Sequence, residues 1–125
     1  MVKAISYTVV AFALCVGLFI FTDAYLTRQF GEFSTALDAL YTKIEDETAT
    51  VEDGNAVRAL WSDKKEKLHI FIPHNDISYI DYWLGECCGL LKNGNYELAI
   101  GKIEVLKEIA KNLPDAYTVR LENIF

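Results

Sequence analysis

The chain is expected to be all-α: a single N-terminal transmembrane helix that extends into an antiparallel helical bundle of about four helices. Three observations predict it. A run of 19 uncharged residues, Ala4 to Thr22, lies between Lys3 and Asp23. Beyond it, apolar residues recur at steps of three and four, the period of a helix face and not of a strand. Turn-forming residues then divide the remainder, with acids and threonines from Glu45 to Gly54, a proline at Pro73, and Asn93-Gly94-Asn95.

The apolar run covers roughly 28 Å at a rise of ~1.5 Å per residue, close to a hydrocarbon core of ~30 Å. The amino terminus and Lys3 lie on one side of it, whereas Asp23 and Glu32 offset Arg28 on the other, so the positive-inside bias favours a cytoplasmic N-terminus. The expected organisation is an anchor over residues 1–22 and an extracytoplasmic helical domain over 23–125, in a single-pass protein of the cell membrane. A cleavable signal would have a shorter apolar core and an A-x-A-like site, which Thr22-Asp23-Ala24 approximates poorly. Cys15 follows Leu14 in mid-span, which does not suit a lipoprotein signal. Ala4, Thr8, Ala11, Cys15 and Thr22 recur at helical spacing and give the span one small face, the kind that lets membrane helices approach closely.

Leu26, Phe30, Phe33, Leu37, Leu40 and Ile44 continue in alternating steps of four and three, so the membrane helix is expected to run outward through Ile44, with Gly31 as a site for a bend. Glu45–Gly54 reads as the first loop. A second helix is expected from about Asn55 to Ile72, burying Val57, Leu60, Trp61, Leu68 and Phe71 and turning Lys64, Lys65, Glu66 and Lys67 to solvent, with Pro73 as its stop. The third is expected to be capped by Asn75 or Asp76 and to run to Leu91 through Ile77, Ile80, Leu84 and Cys87. The fourth follows the Asn93-Gly94-Asn95 turn, uses Leu98, Ala99, Ile103, Leu106, Ile109 and Leu113, and is expected to end at Pro114, with one or two more helical turns in the tail. Asp53-Gly54-Asn55 and Asn93-Gly94-Asn95, each followed by an alanine and then a proline, form an internal echo of turn, capped helix and stop.

The formal net charge is −6, and beyond residue 22 it is −7, from 11 basic and 18 acidic residues. An acidic domain repels phosphate backbones, so nucleic acid is not an expected partner. The groups able to carry chemistry are few. His69, His74, Asp76, Asp81 and Glu86 bracket the junction of the second and third helices, but His69 and His74 are not at the i, i+4 spacing of a helical zinc pair, and the acids advance by five, about 140° per step. Cys87 and Cys88 are adjacent and so about 100° apart on a helix, unsuited to one metal or to a mutual disulfide. No phosphate loop, nucleophile elbow or Ser-His-acid pattern is present, and neither enzyme activity nor a cofactor is expected. Tyr79, Tyr82 and Trp83, with His74 and Asp76, make the best candidate surface for a ligand or partner.

The N-terminal membrane helix, the helix carrying Trp61, the segment from Ile72 to Asp81, the run from Leu98 to Ile109 and the ending Leu121-Glu122-Asn123-Ile124-Phe125 together resemble the bacterial domain-of-unknown-function family 4363. The chain departs from the family pattern at Ser78, where the resemblance leads one to expect an acid. What the resemblance implies is a membrane-anchored helical protein without an assigned activity. Three functional classes follow. The favoured one is a non-catalytic accessory or interaction subunit of a membrane assembly, whose partner is another integral membrane protein or a second copy. The next is an extracytoplasmic ligand-binding or sensor module which, with three residues ahead of the span, would signal through a partner. The third is a metal-dependent enzyme using His74, Asp76 and Asp81.

Overall fold

The computed structural model describes residues 1–117, of which 88% are helical, with no strand among them. Four helices follow one another: α1 (Val2–Glu45), α2 (Val51–Leu68), α3 (His74–Lys92) and α4 (Tyr96–Tyr117). α1 packs on α2 and α4, α3 packs on the same two, and the diagonal pairs do not meet. Short connections make successive helices antiparallel, as in an up-down-up-down bundle.

α1 has two halves with opposite solvent preferences. Its first 20 residues are all exposed and apolar enough to cross a membrane. Its second half buries Leu26, Phe30, Phe33, Leu37, Leu40 and Ile44, the whole of the expected stripe. The helix passes through Gly31 without interruption, so that glycine ends nothing. α1 stops with a pair of crossed backbone bonds: Glu47 donates to the Ile44 carbonyl at 3.0 Å and Thr48 to the Lys43 carbonyl at 2.8 Å, with Glu47 in the left-handed region at φ 58°. This is the Schellman arrangement, which satisfies the last helical carbonyls and usually places glycine at the left-handed position.

α2 begins four residues before its expected start, and Glu45–Gly54 is not all loop. Thr50 accepts a hydrogen bond from the Asp53 amide and Asp53 reaches back to the Thr50 amide at 2.9 Å, a capping box that holds Asp53, Gly54 and Asn55 inside the helix. The internal echo therefore has no structural counterpart: Gly94 makes a true turn at φ 69°, whereas Gly54 is a buried helical residue. A Cβ at Gly54 would stand 2.9 Å from Cys88 Sγ and 3.1 Å from Leu91 Cδ1, so the glycine is there for close approach of α2 to α3.

The buried row of α2 is Val57, Trp61, Lys64 and Leu68. Lys64 corrects the expectation that it faces solvent: its residue is only 5% exposed, and its ammonium donates to Gln29 Oε1 at 3.0 Å and pairs with the Glu32 carboxylate. A charge at a core position is tolerated because both acceptors come from the facing helix. Leu60 and Phe71 are half-buried rather than buried.

α2 ends at Leu68, earlier than expected, and residues 69–73 turn the chain. Pro73 does not stop α2 but starts α3: its carbonyl accepts from the Asp76 and Ile77 amides, and Asn75 and Asp76 lie within the first turn instead of capping it. Proline supplies a φ already near the helical value and has no amide to leave unpaired. Asp76 then sits where the helix dipole favours a negative charge. α3 buries Ile77, Ile80, Leu84, Cys87, Cys88 and Leu91, and closes on a second Schellman arrangement in which Gly94 donates to Leu91 and Asn95 to Leu90.

Asn95 Oδ1 accepts from the Leu98 amide at 3.3 Å and so caps α4. The buried row of α4 is Ala99, Ile103, Leu106 and Ala110; Leu98, expected in the core, is 56% exposed, and Ile109 and Leu113 are half-buried. Pro114 does not end α4, which continues to Tyr117. The ring is buried beside Thr27, Phe30, Gly31 and Ser34 of α1, and this packing offsets the hydrogen bond that proline removes. The expected helical tail falls, from residue 118 onward, outside the described residues, as does the Leu121–Phe125 ending.

Candidate functional site

The surface picked out by the sequence lies on the outer face of α3. Tyr79 and Tyr82 stand well out of the core because the buried row of α3 runs through Ile77, Ile80 and Leu84, leaving positions 79 and 82 on the opposite side. Tyr79 is a ridge between two open grooves. One, of about 340 Å³, is lined by Asp76 and Tyr79 of α3 and by Glu108, Ile109, Asn112 and Leu113 of α4. The other, of about 420 Å³, is lined by Asn75, Ser78, Tyr79 and Tyr82. The first has an apolar floor from Ile109 and Leu113 with Asp76, Glu108 and Asn112 at its edges, a lining suited to an apolar group that carries an amide or a cation. Its α4 wall is absent from the sequence-based candidates. The only local signal for it is the i, i+4 pair in which Asn112 Nδ2 donates to Glu108 Oε2 at 3.2 Å.

Trp83 belongs to a neighbouring cluster. It meets Tyr82 edge to face at 5.8 Å, and Lys102 Nζ of α4 lies 4.7 Å from its ring centre and 3.0 Å from Glu86 Oε2. Lys102 and the Tyr82 hydroxyl hold the Glu86 carboxyl below its ordinary range, and the same carboxylate raises the Tyr82 phenol. His74 is placed apart from this cluster: its Nε2 is 3.3 Å from Ser78 Oγ, and its ring stacks on His69 at 5.9 Å. These are exposed contacts across one helical turn and across the α2–α3 turn, whereas Asp76 lines the groove beside Tyr79.

Asp81, grouped with His74 and Asp76 by the sequence, is turned toward α2. Its Oδ1 accepts from Trp61 Nε1 at 2.9 Å and its Oδ2 pairs with Lys65 at 3.1 Å. Trp61 itself is 1% exposed, wedged between Phe30 and Phe33 at 6.1 and 4.9 Å, so Asp81 satisfies a buried indole and holds α3 to α2. Among the described residues no three His, Cys, Asp or Glu side chains come together as a metal site. Cys87 and Cys88 behave as small core residues. Burial pushes the Cys87 thiol up to about 12, with Cys88 adding to the shift, and burial raises Cys88 as well, against the nearby Arg58. Neither is an activated nucleophile.

The second candidate face is on the apolar half of α1, where Ala4, Thr8, Ala11 and Cys15 are all exposed. The Thr8 hydroxyl donates to the Ala4 carbonyl at 2.9 Å, which meets its hydrogen-bonding need within its own helix.

The fold and these surfaces define a class: a four-helix bundle whose first helix extends far beyond the bundle as an apolar segment long enough to cross a membrane. A family model described as Domain of unknown function (DUF4363) matches residues 20–124, and the chain belongs to that family. No curated protein and no solved structure matches the chain.

Proposed function

We propose that the protein is a membrane-anchored, non-catalytic accessory subunit: residues 1–22 anchor it, residues 23–125 make up its extracytoplasmic part, and its partner is another integral membrane protein or a second copy. The observation that carries this reading is the continuity of α1. One uninterrupted helix supplies both the exposed apolar segment and the central stripe of the bundle. The family match begins at residue 20, where the exposed segment gives way to the buried stripe, which supports a division at that level. Lys3 ahead of the span and Asp23 after it favour the cytoplasmic side for the N-terminus. The outward domain offers grooves and aromatic edges rather than a converging set of acid, base and nucleophile, which suits binding.

A gentle-detergent pull-down of the full-length protein from its native membrane tests the reading, beside a copy carrying Ala11→Leu and Cys15→Leu. One membrane protein, or a second copy, is expected with the native form and not with the variant, because leucines on the small face keep a partner helix from close approach. Recovery of the native protein alone, as a monomer, overturns it and moves weight to a second reading: a ligand-binding or sensor module, favoured by the Asp76–Tyr79–Glu108 groove.

A further inference from the structure

The α2–α3 turn caps one end of the bundle, and that end faces the span. Phe21, in the exposed apolar half of α1, stacks on Tyr25 at 6.0 Å, and Tyr25 meets Phe71 of the turn at 6.0 Å. Tyr25 stands three residues beyond Thr22, or roughly 4.5 Å along the helix at ~1.5 Å per residue. The headgroup layer outside a ~30 Å hydrocarbon core is itself roughly 5–8 Å deep. If Ala4–Thr22 fills the core, the turn lies at headgroup level.

The side chains of the turn divide accordingly. Ile72 is buried and closes the core, so the bundle does not need Ile70. Ile70 is nevertheless 84% exposed, more than any other large apolar side chain that follows α1 among the described residues. It is flanked by His69 and Phe71 and, a little further, by Glu66, Lys67 and His74, and Phe71 in turn meets the ring of Tyr25. An apolar tip among long basic, imidazole and aromatic side chains is the composition of a segment that rests in a membrane interface, where each side chain keeps its apolar body in and its polar end out.

We propose that the turn at residues 69–73 is a second membrane contact, with Ile70 seated in the headgroup layer of the bilayer that α1 crosses. The proposal rests on the reading of residues 1–22 as a span. A single helix leaves the domain free to rotate about its axis. The added contact fixes which face of the bundle looks along the membrane, and so which face a membrane partner meets.

The test uses the full-length protein in nanodiscs of phosphatidylcholine and phosphatidylglycerol, with Cys15→Ser and one spin-labelled cysteine at a time: Ile70→Cys, Leu18→Cys in the span, and Asn93→Cys at the far end. Cys87 and Cys88 are buried and stay unlabelled. Collision of each label with oxygen and with a water-soluble nickel chelate is measured by power saturation. The expected result is a Leu18→Cys label seen by oxygen, an Asn93→Cys label seen by nickel, and an Ile70→Cys label with several-fold less nickel and more oxygen than Asn93→Cys. An Ile70→Cys label as open to nickel as Asn93→Cys, while Leu18→Cys stays in lipid, overturns the contact and leaves the span intact. Loss of both nickel and oxygen at position 70 shows a protein neighbour there and overturns it too. Nickel access at Leu18→Cys removes the span and the proposal together.

Discussion

Glu47 and Gly94 occupy the same place in two copies of one device, the left-handed residue after a helix, and they differ only in the Cβ. An L-residue with a side chain pays about 1 kcal/mol to sit there. Glu47→Gly is therefore expected to raise stability by about 0.5–1 kcal/mol and Gly94→Ala to lower it by about 1 kcal/mol, read as opposite shifts in a urea midpoint with unchanged slope. A glycine was to be expected after α3 from Asn93-Gly94-Asn95, whereas nothing in Asp46-Glu47-Thr48 marks a left-handed residue. Lys64 was hidden for another reason. Three charged neighbours follow it in the sequence, and the acceptors that make its burial tolerable, Gln29 and Glu32, belong to a different helix. Lys64→Met fills the same space without a charge to desolvate, and is expected to be neutral or stabilising. Glu32→Gln leaves the buried ammonium without its counter-charge and is expected to destabilise. A thermal melt that ranks Glu32→Gln at or above Lys64→Met would show that the pair stabilises little through charge.

At the scale of elements, the sequence was most informative where one helix face is uniformly apolar. All six residues of the α1 stripe and all five of the α3 row are buried as the period requires. It was least informative at helix ends, where capping competes with composition. The Thr50-Val51-Glu52-Asp53 box converts an acid- and threonine-rich stretch into the first turn of α2, and its Asp53 also pairs with Lys43 of α1 at 3.0 Å. Thr50→Ala removes the acceptor for the Asp53 amide and is expected to cost about 1 kcal/mol, with the loss seen first in hydrogen exchange of residues 51–54. Gly54 separates propensity from packing. Alanine there gains about 1 kcal/mol of helix propensity. It also places a methyl group against Cys88 Sγ, and overpacking of that kind costs about 1–3 kcal/mol. Gly54→Ala is expected to be destabilising, and Cys88→Ala in the same chain to recover the loss; stabilisation by Gly54→Ala alone would mean that α2 and α3 part without cost. The rows of α4 and the outer groove were only half legible, since Leu98, Ile109 and Leu113 are as apolar as the residues that do enter the core. Leu98 lies outside the buried row of Ala99, Ile103, Leu106 and Ala110.

Across the whole molecule, each of the four helix–helix interfaces carries at least one ion pair: Lys64–Glu32 and Lys43–Asp53 between α1 and α2, Lys65–Asp81 between α2 and α3, Lys102–Glu86 between α3 and α4, and Lys107–Asp38 between α4 and α1. Most are at the surface, where a single pair stabilises little, so their collective role is to fix which helices are neighbours and in what register. They give stability a dependence on pH with a definite sign. Lys64 lowers the Glu32 carboxyl, the Thr50 amide and then Lys43 lower Asp53, and Lys102 lowers Glu86. A carboxylate held below its ordinary value in the folded protein contributes stability above that value and loses it as pH falls through the folded one. The unfolding temperature of the bundle is therefore expected to be level from about pH 7 to about pH 5 and to fall below about pH 4.5, where the unfolded chain takes up protons first. On the alkaline side the sign is reversed. The Cys87 thiol, at about 12 when folded against an ordinary 9.0, favours the folded state fully below pH 9.0 and progressively less above it. Melts of the wild type and of Cys87→Ala across the range separate the two arms. The acid loss should persist in the variant, because it belongs to the interhelical carboxylates, and the alkaline loss should shrink. An acid arm that vanished with Cys87→Ala, or a wild type as stable at pH 3 as at pH 7, would show that the ring of ion pairs orders the helices without linking their stability to protons.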